Sequence, residues 1–284
     1  MNRYRLGALA IAIALVPALA ARQEPAPDAR LARLLERAKE YCLKLERAAL
    51  DFTCTEKIEE KTYAEPGYGP NPSFLDLTSM AEAAAASKRA YVNTVVYDYQ
   101  FVRKGDKKKE QRILIEENGR RMQQADAELA TMAMRVENAL FGPIGLLGAE
   151  WQPYHDYKIV DEETHKGKKV VVVEAATKRS LDRPHCVGRV WIQEDDGSIL
   201  KIAWDQSSVG SFELILKQAA ALQGEPRLTS VTEYGMAKKG IRFPSKDTTE
   251  EAYLLAGGVR HVRSTTTILY KDYKFFTVET EVGY

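Results

Sequence analysis

Residues 91–124 read YVNTVVYDYQFVRKGDKKKEQRILIEENGRRMQQ, and their period decides the fold. Val95, Tyr97, Tyr99 and Phe101 alternate with Val96, Asp98, Gln100 and Val102, the two-residue repeat of a strand with one buried face. Lys104-Gly105-Asp106 turns the chain into a second strand over 110–116, and Asn118-Gly119 supplies a tight turn into a third over 120–124. Three strands joined by short turns make an antiparallel meander.

The same pattern extends towards the C-terminus. Residues 125–141 change period: Leu129, Met132, Ala133, Val136 and Leu140 line one face of an expected helix, which Gly142-Pro143 stops. The apolar segment Ile144-Gly145-Leu146-Leu147-Gly148 follows, with glycines that can bend as a lid opens. Strands resume over 154–162, 168–177, 187–194 and 199–206, with Lys166-Gly167 and Asp196-Gly197 as turns. Residues 211–222 read as a helix through Phe212, Ile215, Leu216, Ala219 and Leu222. Strands over 227–234, 241–251 and 262–270 come next, and Phe276, Val278, Thr280, Val282 and Tyr284 alternate to the last residue. The total is about ten or eleven strands, long for one sheet. Strands and crossover helices do not alternate, so a parallel sheet is not expected. The predicted class is α+β: one large curved antiparallel sheet, an open half-barrel with helices packed on its concave face.

Upstream, residues 28–50 form an amphipathic helix with Asp28 as its N-cap. Leu31, Leu34, Leu35, Ala38, Tyr41, Cys42, Leu45 and Ala49 recur at three- and four-residue steps, and charged residues fill the other side. A first strand runs over 51–60. The insertion 61–90 contains Pro66-Gly67-Tyr68-Gly69-Pro70-Asn71-Pro72, a loop by composition, and then an alanine-rich stretch that suits a short helix. An ordinary surface loop and a partner-binding or entrance loop are both consistent with it.

Residues 1–20 have the layout of a cleaved signal peptide. Arg3 and Arg5 precede an apolar run from Leu6 to Ala20, shorter than the roughly 20 residues a spanning helix needs, and small residues at its end suit cleavage before Ala21. No cysteine stands at Ala21, so lipid anchoring is not expected. The expected location is periplasmic or secreted, and the expected mature unit is a single domain over 21–284. It has 39 basic against 40 acidic residues, which removes the electrostatic case for nucleic acid.

Cys42, Cys54 and Cys186 are the cysteines. Cys42 lies about 11 Å back along the helix from the turn near 50 and Cys54 about 10 Å forward along the strand, so a fold-back brings them level. A Cys42–Cys54 disulfide and two small buried thiols are both open.

The search for chemistry is mainly negative. His155, His165, His185 and His261 are isolated, with no HExxH, HxH or CxxC, so neither a metal nor another cofactor is expected. No GxSxG elbow is present. His185 and Cys186 are adjacent, and neighbours on a strand point to opposite faces, which works against a nucleophile–base pair. Gly142, Gly145 and Gly148 follow an expected helix, the wrong order for a phosphate site. The acidic and basic runs fall at turns.

Apolar and aromatic surface is what is left. Val95, Tyr97, Tyr99, Phe101, Leu129, Met132, Val136, Leu146, Leu147, Trp204, Phe276 and Val278 are the candidate ligand-binding residues, joined by Trp191 and Met134 in the same apolar set. Methionines and aromatics repack around irregular alkyl chains, although the same residues also suit a dry core.

An exported helix, a meander, a helical plug, further hairpins and an aromatic-rich closing strand together resemble the LolA/LolB-like superfamily, which includes lipoprotein carriers and MucB/RseB-type regulators. Gly188-Arg189-Val190-Trp191-Ile192-Gln193, Asp196-Gly197-Ser198-Ile199-Leu200-Lys201, Phe243-Pro244-Ser245 and Tyr270-Lys271-Asp272-Tyr273-Lys274-Phe275 look like strands of that group. The resemblance implies an unclosed barrel with an apolar cavity and a helical lid, holding a lipid, an acyl chain or a lipidated protein without catalysis. It carries over no individual binding residue. An envelope interaction or regulatory module on the same fold is the alternative, and a hydrolase with dispersed catalytic residues a third.

Overall fold

The structure, a computed structural model, describes residues 27–50, 52–63, 90–104, 107–131, 139–178 and 186–276, without the side chains of 27, 28, 103, 104, 107 and 108. The signal-peptide stretch, most of the 61–90 insertion, Met132, Met134, Val136, His185 and Val278 lie outside these residues.

Helix α1 (Pro27–Ala48) begins one residue before the expected cap, with Pro27 in its first turn, where a missing N–H is not felt. All eight residues of its expected apolar face are buried or packed on the core. Strands β1 (Phe52–Tyr63), β2 (Ala90–Lys104), β3 (Lys107–Glu117) and β4 (Arg120–Gln124) follow. Then come α2 (Gly142–Leu147), β5 (His155–His165), β6 (Lys168–Thr177), β7 (Gly188–Gln193), β8 (Ile199–Trp204) and α3 (Phe212–Ala221). Strands β9 (Glu225–Glu233), β10 (Met236–Lys238), β11 (Ile241–Phe243), β12 (Lys246–Leu254) and β13 (Arg260–Phe275) complete the chain.

Eleven strands form one antiparallel sheet in the order β4-β3-β2-β1-β13-β12-β9-β8-β7-β6-β5, and β10 and β11 make a separate hairpin. Strands β4 and β5 stand at opposite ends and do not pair, so the sheet is not closed into a barrel. Its curl follows from what the short stretch around α2 touches. The Phe141 ring lies 4.6 Å from that of Phe101 on β2, while the Leu146 carbonyl accepts a hydrogen bond of 2.5 Å from Tyr157 on β5. Laid flat, β2 and β5 would stand about 38 Å apart, yet α2 spans only about 9 Å. The inner face must wrap around it.

Four expectations are corrected. Residues 127–131 are irregular, so the helix over 125–141 is absent from its described first part, and a single 3-10 turn occupies 139–141. Gly142-Pro143 starts α2 instead of ending a helix, because proline costs nothing in a first turn. The strand over 241–251 is broken at Pro244-Ser245 into β11 and β12. The strand expected over 262–270 runs on to Phe275 as β13, Phe276 after it is half exposed, and the rest of the expected closing alternation, 277–284, lies outside the described residues.

Candidate functional site

The apolar wall comes from alternation on β2. Val95, Tyr97, Tyr99 and Phe101 face inward and are buried in a cluster with Ile58, Leu114, Ile268 and Tyr270 on neighbouring strands and with Leu34, Leu45, Leu146 and Leu147 from α1 and α2. Leu129 and Trp204 pack at its margin. Eight of the candidate residues thus belong to one apolar assembly. Phe276 does not: it lies beyond the end of β13 and is 51% exposed.

Helix α2, Gly-Pro-Ile-Gly-Leu-Leu, has no charged side chain and is held through its backbone carbonyls. The Cys42 thiol donates to the Pro143 carbonyl at 3.4 Å, and Tyr157 donates to Leu146. The Gln152 amide donates to both Leu147 and Leu35 at 2.8 and 2.9 Å, tying α2 to α1. A Cβ on Gly148 would come within 2.6 Å of the Ile144 carbonyl oxygen, so this glycine permits a close helix end. Gly145 has open space around it.

The Cys42–Cys54 bridge is not formed. Both are free, buried thiols, and burial pushes Cys42 up to about 12 and raises Cys54 as well. Cys42 is turned towards Pro143 on α2 and Cys54 towards Tyr273 on β13, so sharing a core does not align their Cβ vectors.

Charge enters the wall beside Tyr99. Arg112 on β3 grips Glu56 on β1 through two hydrogen bonds of 2.6 and 3.1 Å, and reaches Glu110 at 3.0 Å. Tyr99 donates to the same Glu110 carboxylate at 2.8 Å, and the guanidinium carbon of Arg112 lies 5.0 Å from the centre of the Tyr99 ring. Burial pushes the Glu56 carboxyl up against the pull of Arg112.

A second group of buried polar residues has no counterpart in the expectations from sequence. On the inner face Asn93, Glu60, Thr266, Thr249, Ser230 and Trp204 stand side by side on β2, β1, β13, β12, β9 and β8. The first five are at most 7% exposed. Asp247 and Thr232 lie one inward position to one side, and Ser264 and Glu251 to the other. The hydroxyl of Thr249 donates to Ser230 at 2.9 Å, Thr232 donates to Asp247 at 2.5 Å, and the Trp204 indole N–H donates to Thr232 at 2.9 Å. Glu251 accepts from Ser211, Ser264 and Arg263. The belt separates the main core from a smaller one, where Ile215 and Ala219 of α3 pack on Leu228 and Tyr253. The repeated hydroxyl stretches TSVT (229–232), DTTE (247–250) and STTT (264–267) carry the signal.

Among the described residues no three His, Cys, Asp or Glu side chains are grouped as a metal site, and no helix is long and apolar enough to cross a membrane. No family model matches the chain, and no curated protein matches it. Solved structures do. A putative outer membrane lipoprotein-sorting protein domain from Vibrio parahaemolyticus aligns over 87% of this chain and 95% of its own, at 8% identity and a TM-score of 0.40. A DUF1329 family protein from Desulfovibrio piger aligns over 88% and 95%, at 8% identity and 0.39. A LolA superfamily protein from Nitrosomonas europaea aligns over 88% and 94%, at 12% identity and 0.34. The likeness to these proteins, the LolA type among them, is one of fold.

Proposed function

We propose that the chain is an exported, non-catalytic binding protein of the cell envelope. It holds an acyl chain, free or on a lipidated protein, against the inner face of the open sheet in the place that α2 fills. Residues 1–20 act as the cleaved leader, and residues 21–284 work as one unit in the periplasm or outside the cell.

The observation that carries this reading is α2. It is a wholly apolar plug, six residues long, whose leucines rest on an aromatic wall and whose polar backbone is held by side chains that can let go. Exchanging two buried leucines for an alkyl chain returns about 0.8 kcal/mol per buried methylene, enough for a chain of ten or more carbons to offset the lost contacts. Val95, Tyr97, Tyr99, Phe101, Leu129 and Trp204 are the described residues proposed to touch it, and Leu146 and Leu147 are those it displaces.

Organic extracts of natively purified protein, read by mass spectrometry, should contain a defined lipid, and the stripped protein should take up a fluorescent fatty acid. Repeated absence of both overturns the reading. Export has its own check: the purified envelope protein should begin at Ala21, and an intact N-terminal methionine would refute cleavage.

A further inference from the structure

The belt on the inner face is expensive to keep. A strand surface between two apolar clusters gains most from valine and isoleucine, because a buried polar group costs free energy unless it is paired. Here β9, β12 and β13 each place hydroxyl or carboxyl groups there: Ser230 and Thr232, Asp247 and Thr249, Ser264 and Thr266. Most are paired with one another. The Thr266 hydroxyl, 2% exposed at the middle of the row, has no hydrogen-bond partner. Its neighbours across the sheet are Glu60 and Thr249.

The belt also carries carboxyl groups. Asp247 and Glu251 bring them to it from β12, and Arg263 pairs with Glu251. Burial pushes the Asp247 carboxyl up to about 6, since only two threonine hydroxyls stabilise its charge. A cationic donor next to Asp247 would reverse that cost.

The belt adjoins both the apolar wall and the plug. Val95, Ile58 and Ile268 form the inward row that continues into Asp247 and Thr232. Trp204 ends the polar row, and a Cβ on Gly142 at the start of α2 would lie 2.8 Å from its ring. Withdrawal of α2 therefore uncovers the Trp204 ring, whose indole N–H donates to Thr232, which donates in turn to Asp247.

We infer that this belt is a headgroup subsite, and that the ligand is an amphiphile whose head donates hydrogen bonds through a protonated amine, with Thr266 and Asp247 as the receiving groups. The inference rests on the acyl-binding reading and names the class of lipid it takes. The geometry matches such a molecule: alkyl chain along β2 in the place of α2, head across β13, β12 and β9.

The test compares three probes of equal chain length, dodecylamine, dodecanol and laurate, by calorimetric titration of the full mature chain. Dodecylamine should bind at least about tenfold more tightly than laurate, as a charge-assisted pair requires. Asp247→Asn should lower the dodecylamine-to-dodecanol affinity ratio by about tenfold. Thr266→Val should leave the melting temperature unchanged or raise it, because it removes an unpartnered hydroxyl, and should also weaken dodecylamine binding. Equal binding of all three probes, untouched by either variant, overturns the headgroup assignment and leaves acyl binding standing. A Thr266→Val chain that melts lower and binds as before makes that hydroxyl structural and removes it from the site. Binding of none of the three overturns the parent reading and the inference with it.

Discussion

At the scale of single residues, two buried carboxyl groups show how differently a charge can be kept inside this fold. Asp247 has only threonine hydroxyls for company, and its pKa rises from 3.8 to about 6. The folded chain therefore holds this proton more tightly than the unfolded one. Its contribution to stability is full below about pH 4 and is lost as the pH rises through about 6. Asp247→Asn should flatten the stability profile between those values and stabilise the protein at about pH 7 by up to about 3 kcal/mol, read from urea midpoints at several pH values. Glu56 instead has the two-pronged grip of Arg112. Arg112→Met leaves that carboxylate buried and alone, and should cost about 3–5 kcal/mol in urea unfolding. The double change with Glu56→Leu should recover most of the loss, because an apolar pair replaces a fully desolvated ionic one. Neither environment is visible in sequence. Glu56 and Arg112 are 56 positions apart, and Thr265, Thr266 and Thr267 look alike until the pairing of β1, β13 and β12 turns only the middle one inward.

At the scale of elements, legibility follows the length of the period. The face of α1 is readable because six turns repeat it, and β2 because its apolar residues alternate over seven positions, from Val95 to Phe101. Helix α2 is misread for a local reason: Gly-Pro after an apolar run suits a helix stop as well as a helix start, and with six residues no period can decide between them. What holds α2 is also non-local. Gln152 joins it to α1 by donating to Leu147 and Leu35, and Tyr157 joins it to β5. Gln152→Ala leaves both carbonyls without that donor. Amide hydrogen exchange over 142–148 should then speed up about tenfold relative to β1, for a loss of about 1–2 kcal/mol in local stability. Unchanged exchange would mean that the packing of Leu146 and Leu147 alone keeps the plug seated. In that case Gly148 would serve close packing and not motion.

At the scale of the whole molecule, the open sheet links plug, ligand and stability into one equilibrium. A barrel closed through β4 and β5 would hold its inner face whatever α2 did. This sheet instead curls around the stretch 141–148 and is held there by contacts from β2 and β5. If the ligand takes the plug's place, its measured affinity is its intrinsic affinity reduced by the fraction of molecules with α2 withdrawn. Weakening the latch then moves two observables in opposite directions. Gln152→Ala should lower the melting temperature of the stripped protein, and it should tighten binding of a fluorescent fatty acid by up to the same factor as the rise in exchange over 142–148. Ligand at about a hundred times its dissociation constant adds about 2.7 kcal/mol to either protein, a rise of roughly 5–10 °C for a chain of this size. Scanning calorimetry with and without the fatty acid reads both effects in one experiment. A variant that melts lower and also binds more weakly would mean that α2 is part of the wall against which the ligand rests.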